Sequence, residues 1–186
     1  MYHKDITSYI EKEIAVLKSL HIDSINNVMI AINKAYESNG SIFIFGNGGS
    51  SATAAHFQND FNKGISEQKE KKFNFICLND NIPTITAIAN DSGYEFIFEH
   101  QLKGKIKEHD LVIGISCSGN SQNVIKAVEY AKTQRVKTIG LTGYDGGKLA
   151  RIVDISFNVP VDNMQITEDI HMMLDHLIMS IFMKVL

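Results

Sequence analysis

From Ser41 onward the chain alternates short apolar runs of strand length with longer stretches of helical character, and this alternation limits the possible folds more than any other feature. The runs are SIFIFG at 41–46, FNFICL at 73–78, LVIGIS at 111–116, TIGLTG at 138–143 and VDISFNV at 153–159. Helical segments are expected at 50–62, 82–89, 94–107, 121–134 and 164–185. Consecutive parallel strands need crossovers of a dozen residues or more, and right-handed helical crossovers place helices on both faces of the sheet. The pattern predicts a doubly wound α/β sandwich on a five-stranded parallel sheet. The two prolines, at 83 and 160, fall near element boundaries and leave the long final helix intact.

Two helices are expected before the first strand. Ile6, Ile10, Ile14, Leu17 and Leu20 recur at spacings of three and four, which marks one face of a helix from about residue 5 to 20. A second runs from Ser24, read as its N-cap, to Glu37, and Asn39-Gly40 stops it. A minimal core of this class does not require them. Residues 1–40 are therefore read as a helical pair whose apolar faces pack in an oligomer, within a single domain spanning 1–186. A length of 186 residues suits one domain with its own core.

Charge and composition exclude several function classes. A net charge of -3 offers no field for a phosphate backbone, so no nucleic-acid partner is expected, and the cluster at Lys69, Lys71 and Lys72 is diluted by Glu67 and Glu70. The charged opening MYHKDITSYIEKEIAVLK does not read as a signal peptide, and no apolar run reaches spanning length. A cytoplasmic protein without a membrane partner is expected. Cys77 and Cys117 lack metal-type spacing and suit a reducing compartment.

In an open parallel sheet, ligands bind beyond the carboxyl ends of the strands. The first loop there is Gly46-Asn47-Gly48-Gly49-Ser50-Ser51, whose glycines let backbone N–H groups approach a ligand at a helix N-terminus. It is no dinucleotide fingerprint, because Ser51 stands where the third glycine belongs, so no nucleotide cofactor is expected. A tight turn that binds nothing is the alternative for this loop alone. The second loop, Ser116-Cys117-Ser118-Gly119-Asn120-Ser121, brings three hydroxyls and a glycine to the positive end of a helix, which suits a phosphate monoester. Ser121 could be only an N-cap, but that leaves Ser116 and Ser118 unexplained.

The run GNGGSSATAAHFQNDF at 46–61, the pair Asn90-Asp91, the SCSGNS loop, LTGYDGG at 141–147 and a histidine-bearing last helix follow in the order that resembles the SIS-domain phosphoheptose isomerases. The resemblance implies a tetramer with active sites at its interfaces and a sugar-phosphate substrate of the sedoheptulose 7-phosphate type. Its product would feed nucleotide-activated heptose for a surface glycan. It assigns the phosphate to Ser116, Cys117, Ser118 and Ser121, with Cys117 acting through its backbone. Sugar hydroxyls fall to Asn47, Gly48, Gly49, Asn90 and Asp91.

Aldose-ketose isomerisation needs a base to carry a proton between adjacent carbons and a group to steady the enediolate oxygen. His56 and Asp60, four apart, share a helix face, while Glu168, His171 and His176 lie in the last helix. The family pattern carries glutamate at position 60, glutamine at 168 and glutamate at 169, where this chain has Asp60, Glu168 and Asp169. By resemblance Asp60 is the base and His176 its acid-base partner. His56, Asp60, Glu168 and His176 form a ligand set for one divalent ion, zinc being the best match, with Glu168 also counted among the substrate-binding residues. One straight helix would separate the α-carbons of residues 168 and 176 by about 12 Å, so Glu168 is expected to enter near the helix start or from another subunit. His171 reads as an ordinary hydrogen-bonded residue, and the methionines of the last helix as packing.

The resemblance leaves two non-enzymatic alternatives. One is a SIS adaptor of the kind that associates with a bacterial replication initiator, and the other is a sugar-phosphate sensor. Adaptors tend to lack the carboxylate and histidine pair that Asp60 and His176 supply here.

Overall fold

The computed structural model describes residues 1–186, the side chain of Gln68 excepted. Five strands form one parallel sheet: β1 (Ile42–Gly46), β2 (Phe75–Cys77), β3 (Leu111–Ser116), β4 (Lys137–Gly143) and β5 (Ile155–Val159), in the order β2-β1-β3-β4-β5. The doubly wound sandwich follows from alternation within each strand. Ile42, Ile44, Leu111, Ile113, Ile115, Ile139 and Leu141 point to one face, and Phe43, Phe45 and Val112 to the other. Every residue of β1 and β3 is buried, as expected of central parallel strands covered on both sides.

The first face is covered by α2 (Ile22–Glu37), α3 (Gly49–Asn59) and α8 (Met164–Val185). The second is covered by α4 (Ile82–Asp91), α5 (Glu99–Leu102), α6 (Gln122–Thr133) and α7 (Gly147–Ile152). The N-terminal helices divide their tasks. Helix α2 spends Ile25, Val28, Ile32 and Ala35 inside the core, whereas α1 (His3–Ser19) buries only Val16 and leaves Ile6, Ile10 and Ile14 about half exposed.

Several boundaries differ from the sequence reading. Helix α2 begins at Ile22, before Ser24, and the Ser24 hydroxyl donates to the His21 carbonyl within the first turn at 2.7 Å. The expected helix at 94–107 is only a 3₁₀ turn at Tyr94–Phe96 and the short α5, because Lys103 is extended and Gly104 has φ +72°, which no helix continues. Helix α7, inside the glycine-rich LTGYDGG stretch and beyond, was not expected. Strand β2 is shorter than expected since the amide of Phe73 bonds the Ser66 hydroxyl instead of a strand neighbour.

Helix α3 passes at Asp60 into a single π-helical turn, Asp60–Ile65. Two contacts hold this widened turn. Phe61 packs among Phe73, Phe75 and Phe182, and Gly64 lies so close to α8 that a β-carbon there would come within 2.5 Å of the Met179 methyl. Such turns recur where a helix must re-aim a side chain. Here the turn sets Asp60 against α8.

Candidate active site

The strand order reverses between β1 and β3, and a crevice must open at the carboxyl ends of two strands whose connections leave in opposite directions. A cleft of about 410 Å³ opens there, within the range of small-molecule sites. Its walls come from the loops after β1, β3 and β4 and from the start of α8, and include Asn47, Ser50, Ser116, Cys117, Ser118 and Ser121.

Hydrogen bonding in this cleft is thorough. The Ser116 and Ser121 hydroxyls meet at 2.9 Å, and Ser121 occupies the N-cap position of α6 without its side chain capping the helix. The plain capping reading of Ser121 therefore fails, and the helix N-terminus keeps its attraction for an anion. Gly119, at φ +64°, packs so closely that a β-carbon would overlap the Gly146 carbonyl, which locks the serine loop to the loop after β4. The Gly143 amide donates to the Cys117 carbonyl at 2.8 Å. Burial raises the Cys117 thiol above its usual value, with the Glu168 charge adding to the rise and the Ser50 hydroxyl opposing it. A neutral thiol of this kind is no nucleophile.

Asn47 exchanges two amide hydrogen bonds with Asn123, at 2.8 and 2.9 Å, and accepts a third from the Tyr94 hydroxyl at 2.9 Å. Asn123 and Tyr94 were missed in the sequence because their role is to orient another side chain. Asn120, Tyr144 and Asp145 also line the cleft, and their loops were singled out without roles for these residues. Gly48 and Gly49 form the turn into α3 without lining the cleft. Asn90 and Asp91, at the end of α4, are exposed, bond to each other at 2.8 Å and do not line it either.

A second arrangement lies further along α3 and α8. His56 Nε2 and His176 Nε2 stand 3.0 Å apart, with Asp60 Oδ2 at 3.5 Å from the first and 4.0 Å from the second. The other Asp60 oxygen accepts from the Asn59 amide at 3.0 Å. Beneath them is Asp175, which sequence reading did not single out, with its Oδ2 4.0 Å from His56 Nε2. One ligand atom from each of His56, Asp60, Asp175 and His176 falls within 4.8 Å of all the others. A tetrahedral ion with bonds of about 2.0–2.1 Å needs ligand atoms about 3.3 Å apart, which these separations bracket.

The set fits a divalent ion for a further reason. Asp175 has no side-chain exposure, and neither of its carboxylate oxygens has a hydrogen-bond partner. Burial, and then the nearby Asp60 charge, push it up to about 8. The cluster is open on one side, where His56 and His176 reach solvent.

Glu168 does not join this group, contrary to the expected ligand set. Its carboxylate lies against Gly49 at the start of α3, where a helix N-terminus favours an anion, and 3.9 Å from the Cys117 sulfur. The reason is helix geometry, since eight residues along α8 separate it from His176 by about 12 Å. Its substrate-side placement is retained, because it lines the cleft. Asp60 and His176, by contrast, line the cluster and not the cleft. His171 is fully buried and bonds the Thr142 carbonyl through Nε2 at 3.2 Å, so its role is to hold α8 on β4.

Comparison with known proteins is consistent with this geometry. A family model described as SIS domain matches residues 2–143. A probable phosphoheptose isomerase of Thermoplasma acidophilum is 37% identical over 174 residues, covering 94% of this chain and 95% of its own. The phosphoheptose isomerase of Helicobacter pylori is 37% identical over 180 residues, covering 93% of each. The solved structure of a phosphoheptose isomerase from Francisella tularensis superposes with a TM-score of 0.91 at 30% identity, covering 98% of both chains.

Proposed function

The chain belongs to the SIS domain family of phosphoheptose isomerases, and we propose that it interconverts the ketose and aldose forms of a phosphorylated heptose through the cleft and cluster described above. The observation that carries this reading is the pairing of a hydroxyl-lined anion site with a convergent carboxylate and imidazole set along one helix pair. Their spacing supports a long substrate. A heptose 7-phosphate extends roughly 8–9 Å from phosphorus to carbonyl, at about 1.2 Å for each of seven bonds, and Glu168 at the cleft and His176 at the cluster stand eight residues, about 12 Å, apart along α8. A molecule gripped at its phosphate end reaches toward the other site.

Ser116, Ser118, Ser121 and the first turn of α6 take the phosphate, with Cys117 contributing backbone. Asn47, Gly48 and Gly49 serve the sugar hydroxyls from the same chain, and Asn90 and Asp91 serve them from a neighbouring copy. Glu168 lines the substrate side. Asp60, one oxygen of which is pinned by Asn59, moves the proton between the adjacent carbons. His176 exchanges a proton with the substrate oxygen that alternates between carbonyl and hydroxyl. The aspartate is one methylene shorter than the family's glutamate, and it stands at the start of the π-helical turn that packs against α8. His56, Asp60 and His176 would hold a divalent ion, zinc by their chemistry. Such an ion polarises a carbonyl oxygen and steadies the enediolate.

Assembly into a homotetramer completes the reading. Ile6, Ile10 and Ile14 form an exposed stripe of the kind that marks a protein interface, while α1 is tied down by Val16 and Leu17 near its end and by the Tyr9 hydroxyl bond to Asp169 at 2.5 Å. No helix among the described residues is long and apolar enough to cross a membrane, and the proposed location is the cytoplasm. The adaptor and sensor alternatives are not favoured, since a module that only binds has no use for a carboxylate and imidazole pair held 4.0 Å apart.

The test is conversion of sedoheptulose 7-phosphate to its aldose by the purified protein, followed by NMR with and without added zinc. Turnover lost in His176→Ala, with ligand binding retained, supports the assignment. No turnover by the wild type on any of several sugar phosphates, with or without zinc, ends it.

A further inference from the structure

We propose that Asp175 is a ligand of the divalent-ion site and takes the place that sequence resemblance gives to Glu168. This rests on the metal reading of His56, Asp60 and His176 above and extends it to a residue to which that resemblance gives no role.

Three observations carry it. The Asp175 side chain is completely buried, yet both of its oxygens lack any hydrogen-bond partner. A carboxylate taken out of water without hydrogen bond or counter-charge is among the costliest features a fold can hold, and buried charges are ordinarily paired or metal-bound. The unpartnered group is also aimed, since Oδ2 faces His56 Nε2 at 4.0 Å and belongs to the one four-residue set of possible ligands found among the described residues. Finally, Glu168 is committed elsewhere, against Gly49 and beside the Cys117 sulfur.

The exchange has a chemical consequence. His56 and His176 at the exposed rim and the buried Asp175 would hold a divalent ion together with Asp60, so that holding it would not fall to Asp60 as the sole carboxylate. Glu168 is left to face the substrate.

The experiment compares zinc affinity, by competition with a chromophoric chelator, in the wild type, Asp175→Leu, Asp175→Asn, Glu168→Ala and His56→Ala, all as full-length protein. The visible spectrum of the cobalt-substituted forms and the zinc-induced shift in melting temperature are read in parallel. The expected result is an affinity loss of at least about a hundredfold in Asp175→Leu, since even outer-shell partners are worth about 10–100-fold. A weakened cobalt band and no zinc-induced thermal shift should accompany it. Glu168→Ala should lose less than about tenfold, the smallest loss expected of even an outer-shell partner. If the leucine variant does not fold, the near-isosteric asparagine variant decides, with loss of affinity again expected. Wild-type affinity in both folded Asp175 variants, alongside loss in His56→Ala, overturns this proposal alone. Loss in Glu168→Ala with retention in the Asp175 variants returns the place to Glu168. A wild type that binds no zinc overturns the metal reading together with this one.

Discussion

In the cleft the Ser116 hydroxyl meets that of Ser121, Asn47 is held by three hydrogen bonds, and the Cys117 carbonyl is engaged by Gly143. In the cluster two imidazole nitrogens face each other across 3.0 Å, and the buried Asp175 carboxyl has no hydrogen-bond partner, its Oδ2 lying 4.0 Å from His56 Nε2. The polar groups of the first region satisfy one another, whereas the second buries a carboxyl whose oxygens no neighbour satisfies. A binding site for an anion can be assembled from backbone and hydroxyl groups that satisfy one another. A site for proton transfer or metal binding has to hold like charges together and is stressed when empty.

Four measurements would sharpen or break this contrast. The largest effect is expected at the cluster, where His176→Ala should lower kcat by about 10²–10⁴-fold with little change in KM, as befits loss of an acid-base group. A large rise in KM with kcat unchanged would move His176 to the binding side.

The second concerns His171, which burial depresses to about 4 despite its bond to the Thr142 carbonyl. The unfolded chain protonates this residue near pH 6.5 while the folded chain resists until about 4, so the unfolded state binds more protons in that window. The stability at stake is present above pH 6.5 and lost as pH falls toward 4, by about 3 kcal/mol in full. Asp175 is shifted the opposite way, so the measurement belongs in the Asp175→Asn background. Chemical denaturation there should show a steeper loss between pH 6.5 and 4 than the same protein with His171→Gln, and equal slopes would refute the assignment.

Third, Ser116→Ala should raise KM by about 10–100-fold, the worth of a hydrogen bond to a charged group, and leave kcat nearly unchanged. A kcat defect of the same size would show that the cleft does more than hold phosphate. The smallest effect is expected at Tyr9→Phe, which removes the bond to Asp169 and should cost about 1 kcal/mol in unfolding free energy. The Asp169 bond, ahead of desolvation, raises the Tyr9 hydroxyl to about 12, so a spectrophotometric titration of the variant should lose that late-titrating phenol.

Most of the fold was legible because its signals are local. Strand β3 and helix α8 fall where the apolar runs put them, and the two candidate loops do flank the sheet's reversal point. The failures are also instructive. The helix expected at 94–107 contains Gly104, a poor helix former that apolar spacing alone does not register, and at φ +72° it ends the segment. Asp175 left one usable signal, an ionisable residue within the stripe His171, Leu174, Ile178 and Phe182 that α8 turns to the core. Periodicity marks such a residue as buried. It cannot say what faces it.

By itself, then, the sequence determined an alternating α/β sheet, a glycine loop and a serine loop at its carboxyl edge, and the supply of imidazoles and carboxylates on two helices. These follow from backbone preference and from apolar spacing, which act over a few residues. Only the tertiary structure decided that Asp175 and not Glu168 meets His56, Asp60 and His176, that Asn123 and Tyr94 steer Asn47, and that α2 covers the sheet while α1 keeps its isoleucines outside. Those outcomes depend on how α3, its π-helical turn and α8 lie against one another. That register is fixed by the packing of Gly64 on Met179 and of Phe61 among its aromatic neighbours, residues far apart along the chain.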